Sequence, residues 1–164
     1  MKTIRRDRIK KSEKIKVLFL CTGNSCRSQM AEGWTRHLKN GEIEPYSAGI
    51  LPQGLNPIVV RVMAEAGVDI SQHKSTHIND FKKVEFDYVV TVCGHANEIC
   101  PRFPGKTKTV HVGFDDPPKL ALIVETEEEA LNCYRKVRDE IKAFVERFPE
   151  ELKKLSMNEN FGEH

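Results

Sequence analysis

One stretch of this 164-residue chain joins a nucleophile to an anion grip: Cys21-Thr-Gly-Asn-Ser-Cys-Arg27, followed by Ser28. Successive backbone N–H groups of such a Cys-x5-Arg loop can point inward and cradle a tetrahedral oxyanion. A helix starting at the end of the loop adds positive potential. Arg27 can grip two anion oxygens with its planar fork. The same field favours a thiolate at Cys21, the nucleophilic form. Gly23 permits an unusual backbone angle, and Asn24 and Ser28 can hydrogen-bond the loop and the sulfur. Thr22, Gly23, Asn24, Ser25, Cys26, Arg27 and Ser28 are therefore the candidate oxyanion-binding residues. The competing reading is a buried cysteine beside an ordinary helix start. A bare Cys-x5-Arg occurs by chance in many proteins, so the flanking elements decide.

Three more features carry chemistry. Cys93 and Cys100 bracket Cys-Gly-His-Ala-Asn-Glu-Ile-Cys. In a continuous helix they would stand roughly 10 Å apart along the axis, whereas a disulfide needs Cα atoms within about 7 Å. A Cys93–Cys100 bond therefore requires residues 93–101 to be non-helical or to unwind, and Gly94 and Pro101 favour that. This segment is a candidate redox-driven switch, against the alternative of two unrelated cysteines. Asp116, ahead of Pro117, could protonate a leaving oxygen; Asp115 is its rival, and Asp-Asp-Pro alone reads as a turn. Zinc held by Cys21, Cys26, Cys93 and Cys100, with His95 or His111 in reserve, is disfavoured: the spacings lack the tight Cys-x2-Cys of structural sites, and no metal is expected. Cys133 reads as a small core residue, and His37, His73 and His77 as surface residues.

The elements around these residues favour one site. Ile15–Leu20 is apolar throughout, like a strand buried on both faces, and leads straight into Cys21. Met30, Ala31, Trp34 and Leu38 follow at helical spacing. Glu42–Ser47, Asp87–Val92 and Thr107–Val112 read as further strands. Asn56-Pro57 reads as a helix start and Gly67 as its end. Thr126 with Glu129 forms a capping box. The helix it opens presents Ala130, Tyr134, Val137, Ile141, Phe144 and Phe148 on one side. Strands alternating with helices predict a single-domain α/β fold: a four-stranded parallel sheet with helices on both faces. Ligands in such folds bind at the carboxyl ends of strands, and Cys21, Cys93 and Asp115–Asp116 all fall at such ends.

Composition bounds the rest. Hydrophobic residues make up 39% and charged residues 30%, as in a globular protein. No apolar run approaches the ~20 residues of a membrane span, and no secretory h-region follows the basic N-terminus. Residues 1–16 hold eight Lys or Arg against two acids, a net +6 that leaves −4 for the rest of a +2 chain. Residues 1–14 are expected to form a flexible basic arm, 15–155 the domain, and 156–164 a C-terminal tail. No nucleic-acid partner is expected, nor a nucleotide or other cofactor, since no glycine-rich nucleotide loop is present. Five cysteines without a secretory signal suit a reducing, cytoplasmic setting.

Val17-Leu-Phe-Leu-Cys-Thr-Gly-Asn-Ser-Cys-Arg-Ser28 resembles the signature loop of the low-molecular-weight protein tyrosine phosphatases. Extended to Trp34, it resembles more closely the thioredoxin-coupled arsenate reductases built on that scaffold. Tyr46–Ile50, Gly54–Pro57, Val68–Ser71, Val89–Cys93 and Gly113–Pro117 match as well, so the resemblance covers Lys16 to Phe148. It implies that Cys21 attacks arsenate held by the loop and Arg27, while Asp116 assists proton transfer. It further implies that Cys93 attacks Cys21 to release arsenite, that Cys100 then attacks Cys93, and that thioredoxin reduces the product. A monomer without cofactor is expected. The alternative is a phosphatase for phosphotyrosine or small phosphate esters. Against it stand Pro118 and Lys119, where the phosphatases generally carry an aromatic residue, the polar Thr22 and Ser25, and the Cys93/Cys100 pair. Some members hold potassium near residues matching Asn24, Glu32 and Ser47, but Thr76 stands where they have aspartate.

Overall fold

The computed structural model describes residues 13–94, 96, 100, 103 and 105–162, with side chains described through Met157. Most of the expected basic arm therefore lies outside the described residues. The chain runs β1 (Ile15–Cys21), α1 (Arg27–Leu38), β2 (Ile43–Gly49), α2 (Pro57–Glu65), a 3-10 turn (Ile78–Phe81), β3 (Tyr88–Thr91), β4 (Lys108–His111), α3 (Pro117–Ala121), α4 (Glu127–Glu146) and α5 (Glu150–Gly162). The four strands form one parallel sheet in the order β2-β1-β3-β4. Parallel neighbours need crossovers, and helices cover both faces of the sheet.

The expected strands are present, with ends moved by one or two residues. The core of β1 and all of β3 are buried, so an all-apolar strand loses no solvated face. Pro45 lies in β2, an edge strand, where a missing N–H leaves no ladder bond broken on the open side. Register fixes the site. Cys21 pairs with Gly49 at the end of the β1–β2 ladder, and Leu20 pairs with Thr91 at the end of the β1–β3 ladder.

The helices follow their caps and apolar faces. Asn56 accepts the Ile58 N–H at 2.8 Å and opens α2 with Pro57 next in line. Gly67 follows that helix with φ +85°, a conformation glycine adopts freely. Thr126 accepts the Glu129 N–H at 3.1 Å, while the Glu129 carboxylate reaches Glu125 N–H at 3.3 Å, one residue earlier than a capping box requires. Leu131, Tyr134, Val137, Ile141 and Phe144 of α4 are buried. Phe144 and Phe148 meet edge to face at 4.8 Å, and Phe148 stacks on Phe19 of β1.

Two helices were not anticipated. The short α3 begins right after Asp116, where the sequence suggested only a turn. The boundary expected at Leu155 falls inside α5, whose Leu152 and Ser156 are buried. No helix among the described residues is long and apolar enough to cross a membrane.

Gly33 sets the spacing of α1 against its neighbours. A Cβ there would meet Ile70 Cγ2 at 2.8 Å and Met63 Cε at 3.2 Å. Gly33→Ala is expected to destabilise the fold by about 1–3 kcal/mol through overpacking, read as a lowered urea midpoint with unchanged slope.

Candidate active site

The carboxyl ends of β1, β3 and β4 meet in a cavity of about 420 Å³ whose walls include Cys21, Arg27, Cys93, Asp116, Gln53 and Lys119. Thr22, Gly23, Ser25 and Cys26 also face it. Asn24 and Ser28, expected as oxyanion ligands, have fully buried side chains behind the loop.

The loop owes its shape to where its carbonyls go. Cys21 O accepts from Ile50 N (3.3 Å) and Thr22 O from Leu51 N (2.8 Å). Gly23 O accepts from Gln53 N (2.9 Å) and Ser75 Oγ (3.1 Å). Asn24 O accepts from Gln29 Nε2 (3.1 Å), and Ser25 O from Asn56 N (3.2 Å). A trans peptide carries its N–H opposite its carbonyl. Holding these carbonyls outward therefore turns the next N–H groups inward, toward an anion. Residues 50–56, which follow β2, form the outer template for the loop. Sequence reasoning missed this role because donors on a passing backbone leave no mark on residue type.

Backbone strain falls on Asn24, at φ +47°, and not on Gly23 as expected. Asparagine tolerates that region better than most residues. Its side chain is held at both ends: Oδ1 accepts Thr76 N–H at 2.8 Å, and Nδ2 donates to Ser28 Oγ at 2.8 Å. Gly23 matters for space, since a Cβ would meet Gln53 Oε1 at 2.9 Å. Gly49 matters more, since a Cβ there would meet Thr22 O at 2.8 Å and Asn24 N at 2.9 Å, both backbone atoms.

The Cys21 sulfur receives the Asn24 N–H at 3.3 Å and lies 2.8 Å from Ser28 Oγ. Because Ser28 Oγ already accepts from Asn24, its own proton is available to the sulfur. Donors thus converge on the Cys21 sulfur. Arg27 Nη1 donates to Phe114 O at 3.0 Å, and Nη2 lies 3.8 Å from Asp116 Oδ1. Asp115 is 59% exposed and faces Lys136 at 3.9 Å. Of the two rivals, the structure places only Asp116 in the cavity.

None of the five cysteines forms a disulfide. Cys93 is buried, with its sulfur 3.4 Å from Thr22 Oγ1. Burial pushes the thiols of Cys26 and Cys100 above their ordinary range. Between Cys93 and Cys100, residues 95 and 97–99 lie outside the described residues, and so does most of the expected switch. His95, a reserve zinc ligand, is among them. Among the described residues no three metal-ligating side chains converge. The potassium arrangement does not fit here. Glu32 is engaged by Ser47 Oγ (2.6 Å) and Arg36 (2.9 Å), and Thr76 offers no carboxylate.

Two smaller expectations are corrected. His73 is not a plain surface residue: Nδ1 meets Gln29 Oε1 at 3.0 Å and Nε2 lies 3.7 Å from Glu32. His77 accepts the Asn79 N–H and caps the 3-10 turn. Cys133, expected in the core, is half-buried in a shallow groove with Leu120 and Ile123.

The family described as low molecular weight phosphotyrosine protein phosphatase matches residues 16–158. The arsenate reductase of Halalkalibacterium halodurans is 48% identical over 134 residues, covering 82% of this chain and 94% of its own. That of Bacillus subtilis is 47% identical with the same coverage. A solved arsenate reductase in its phosphate-binding state superposes with a TM-score of 0.64 at 30% identity, covering 86% of this chain and 98% of its own. The chain belongs to the low molecular weight phosphotyrosine protein phosphatase family and, within it, groups with the arsenate reductases.

Proposed function

We propose that this protein reduces arsenate to arsenite and is regenerated by thioredoxin. The observation that carries the reading is Cys93, a thiol from outside the anion loop that lines the same cavity as Cys21. A phosphatase needs one cysteine there; a reductase needs an electron pair from two. The names of the relatives at 47–48% identity agree with this reading, and so does the relative solved with phosphate bound.

In this mechanism arsenate sits on the inward amides, with Arg27 across two of its oxygens. The Cys21 thiolate attacks arsenic, an As–O bond breaks, and Asp116 supplies the proton that lets the oxygen leave as water. The Cys93 thiolate then attacks the Cys21 sulfur. The S–As electron pair departs with arsenic, which falls from As(V) to As(III), and a Cys21–Cys93 disulfide forms. Cys100 attacks Cys93, freeing Cys21 as a thiolate. The Cys93–Cys100 disulfide passes its oxidising equivalents to the thioredoxin dithiol. Burial of Cys100, which favours its protonated form, suits a thiol that acts last, after residues 93–101 rearrange. The chain works as a monomer in the cytoplasm, where a reducing poise keeps the resting cysteines reduced.

The deciding experiment couples arsenate to NADPH oxidation through thioredoxin and thioredoxin reductase, beside release of nitrophenol from its phosphate. Sustained arsenate-dependent NADPH loss is expected. Phosphate release without it would make the chain a phosphatase. Cys100→Ser is expected to give one arsenite per enzyme and then stall as the Cys21–Cys93 disulfide, seen by mass spectrometry; continued turnover would refute the three-cysteine scheme. Asp116→Asn is expected to lower kcat by about 10²–10⁴-fold, while Asp115→Asn stays within about twofold of the wild type, since its carboxylate faces solvent.

A further inference from the structure

Every polar group of Asn56 is engaged, and the partners belong to three elements. Its backbone N–H donates to Ser25 O of the anion loop at 3.2 Å. Its Oδ1 accepts the Ile58 N–H that opens α2. With Oδ1 so fixed, Nδ2 faces the other way and has two protons to give. One goes to Cys26 Sγ at 3.3 Å, the other to Tyr134 Oη of α4 at 3.2 Å. The two acceptors, Cys26 and Tyr134, are 4% and 3% exposed, and Asn56 itself is half-buried.

Cys26 is the residue at which the loop becomes α1. Its side chain makes no capping hydrogen bond to that helix, and its backbone sits at φ −126° and ψ −85°. Its N–H belongs to the peptide whose carbonyl Asn56 holds outward. Asn56 therefore grips the last turn of the cradle twice, by the Ser25 carbonyl and by the Cys26 sulfur, and anchors that grip to α4 through Tyr134.

We infer that Asn56 is a positioning residue for the oxyanion loop and that Tyr134 acts through it. The role rests on the reading of Cys21–Arg27 as an oxyanion cradle. Asn56 does not line the cavity and touches no reacting atom. It holds the Cys26 and Arg27 amides where the anion needs them. Aspartate keeps the cap but cannot donate to sulfur or phenol. Serine keeps the cap and lacks the reach.

The test uses inorganic phosphate as the probe, read by its protection of Cys21 against iodoacetamide in the full chain. Asn56→Ser is expected to raise the half-protecting phosphate concentration by about fivefold, with a near-wild-type urea midpoint because serine is a good cap. Tyr134→Phe is expected to raise it by about twofold. The double variant should match Asn56→Ser alone, because Tyr134 has nothing left to act through. Arsenate turnover should show KM raised in step with kcat held. If Asn56→Ser does not fold, Asn56→Asp takes its place, with weaker protection expected from the added negative charge. Wild-type protection in the Asn56 variants, or fully additive effects in the double variant, would overturn the inference. If no variant turns over arsenate, the phosphate result still stands, and it is the proposed reaction that fails.

Discussion

The peptide carbonyls from Cys21 to Ser25 all turn away from the anion, and each is met by a donor from outside the loop. Amides aimed at a shared point repel one another while the site is empty. Without outside partners the loop would relax and its carbonyls would compete for the interior. Residues 50–56 prevent this, because the chain leaving β2 runs alongside the loop and supplies backbone N–H groups from Ile50, Leu51, Gln53 and Asn56. The arrangement depends on Gly49, whose missing side chain lets that strand end lie against Thr22 and Asn24. An anion then meets dipoles already in place, so little reorganisation is needed when charge arrives.

Around that cradle the side chains divide into two groups. Asn24 and Ser28 are fully buried and serve the Cys21 sulfur from behind. Arg27, Asp116, Cys93 and Lys119 face the cavity. The first group suits any chemistry in which Cys21 attacks a tetrahedral oxyanion. Cys93 brings a thiol from the end of β3 onto the same cavity as Cys21. Pro118 and Lys119 at the rim give an aromatic ring no flat surface to stack on.

Electrostatics follow the same division. The Arg27 guanidinium is held between Phe114 O and Asp116, so its position is set before an anion binds. On the outer side, the half-buried Glu32 is engaged by Arg36 and Ser47.

The sequence by itself determined the sheet, the Cys21–Arg27 loop at the end of β1 and the helix that follows it. All-apolar Ile15–Leu20 has one stable home, between covered faces, and Asn56-Pro57 and Thr126 cap their helices through local contacts alone. The convergence of Cys21, Cys93 and Asp116 was also legible, since strand ends in parallel sheets lie together. Only tertiary structure chose Asp116 over Asp115, moved the strained angle from Gly23 to Asn24, and gave His73 its partners. It also revealed α3, α5 and the template at residues 50–56. These features rest on contacts between residues far apart in the chain. Residue type and spacing record local preference, whereas a backbone donor that happens to pass a carbonyl is fixed only when the whole chain is packed.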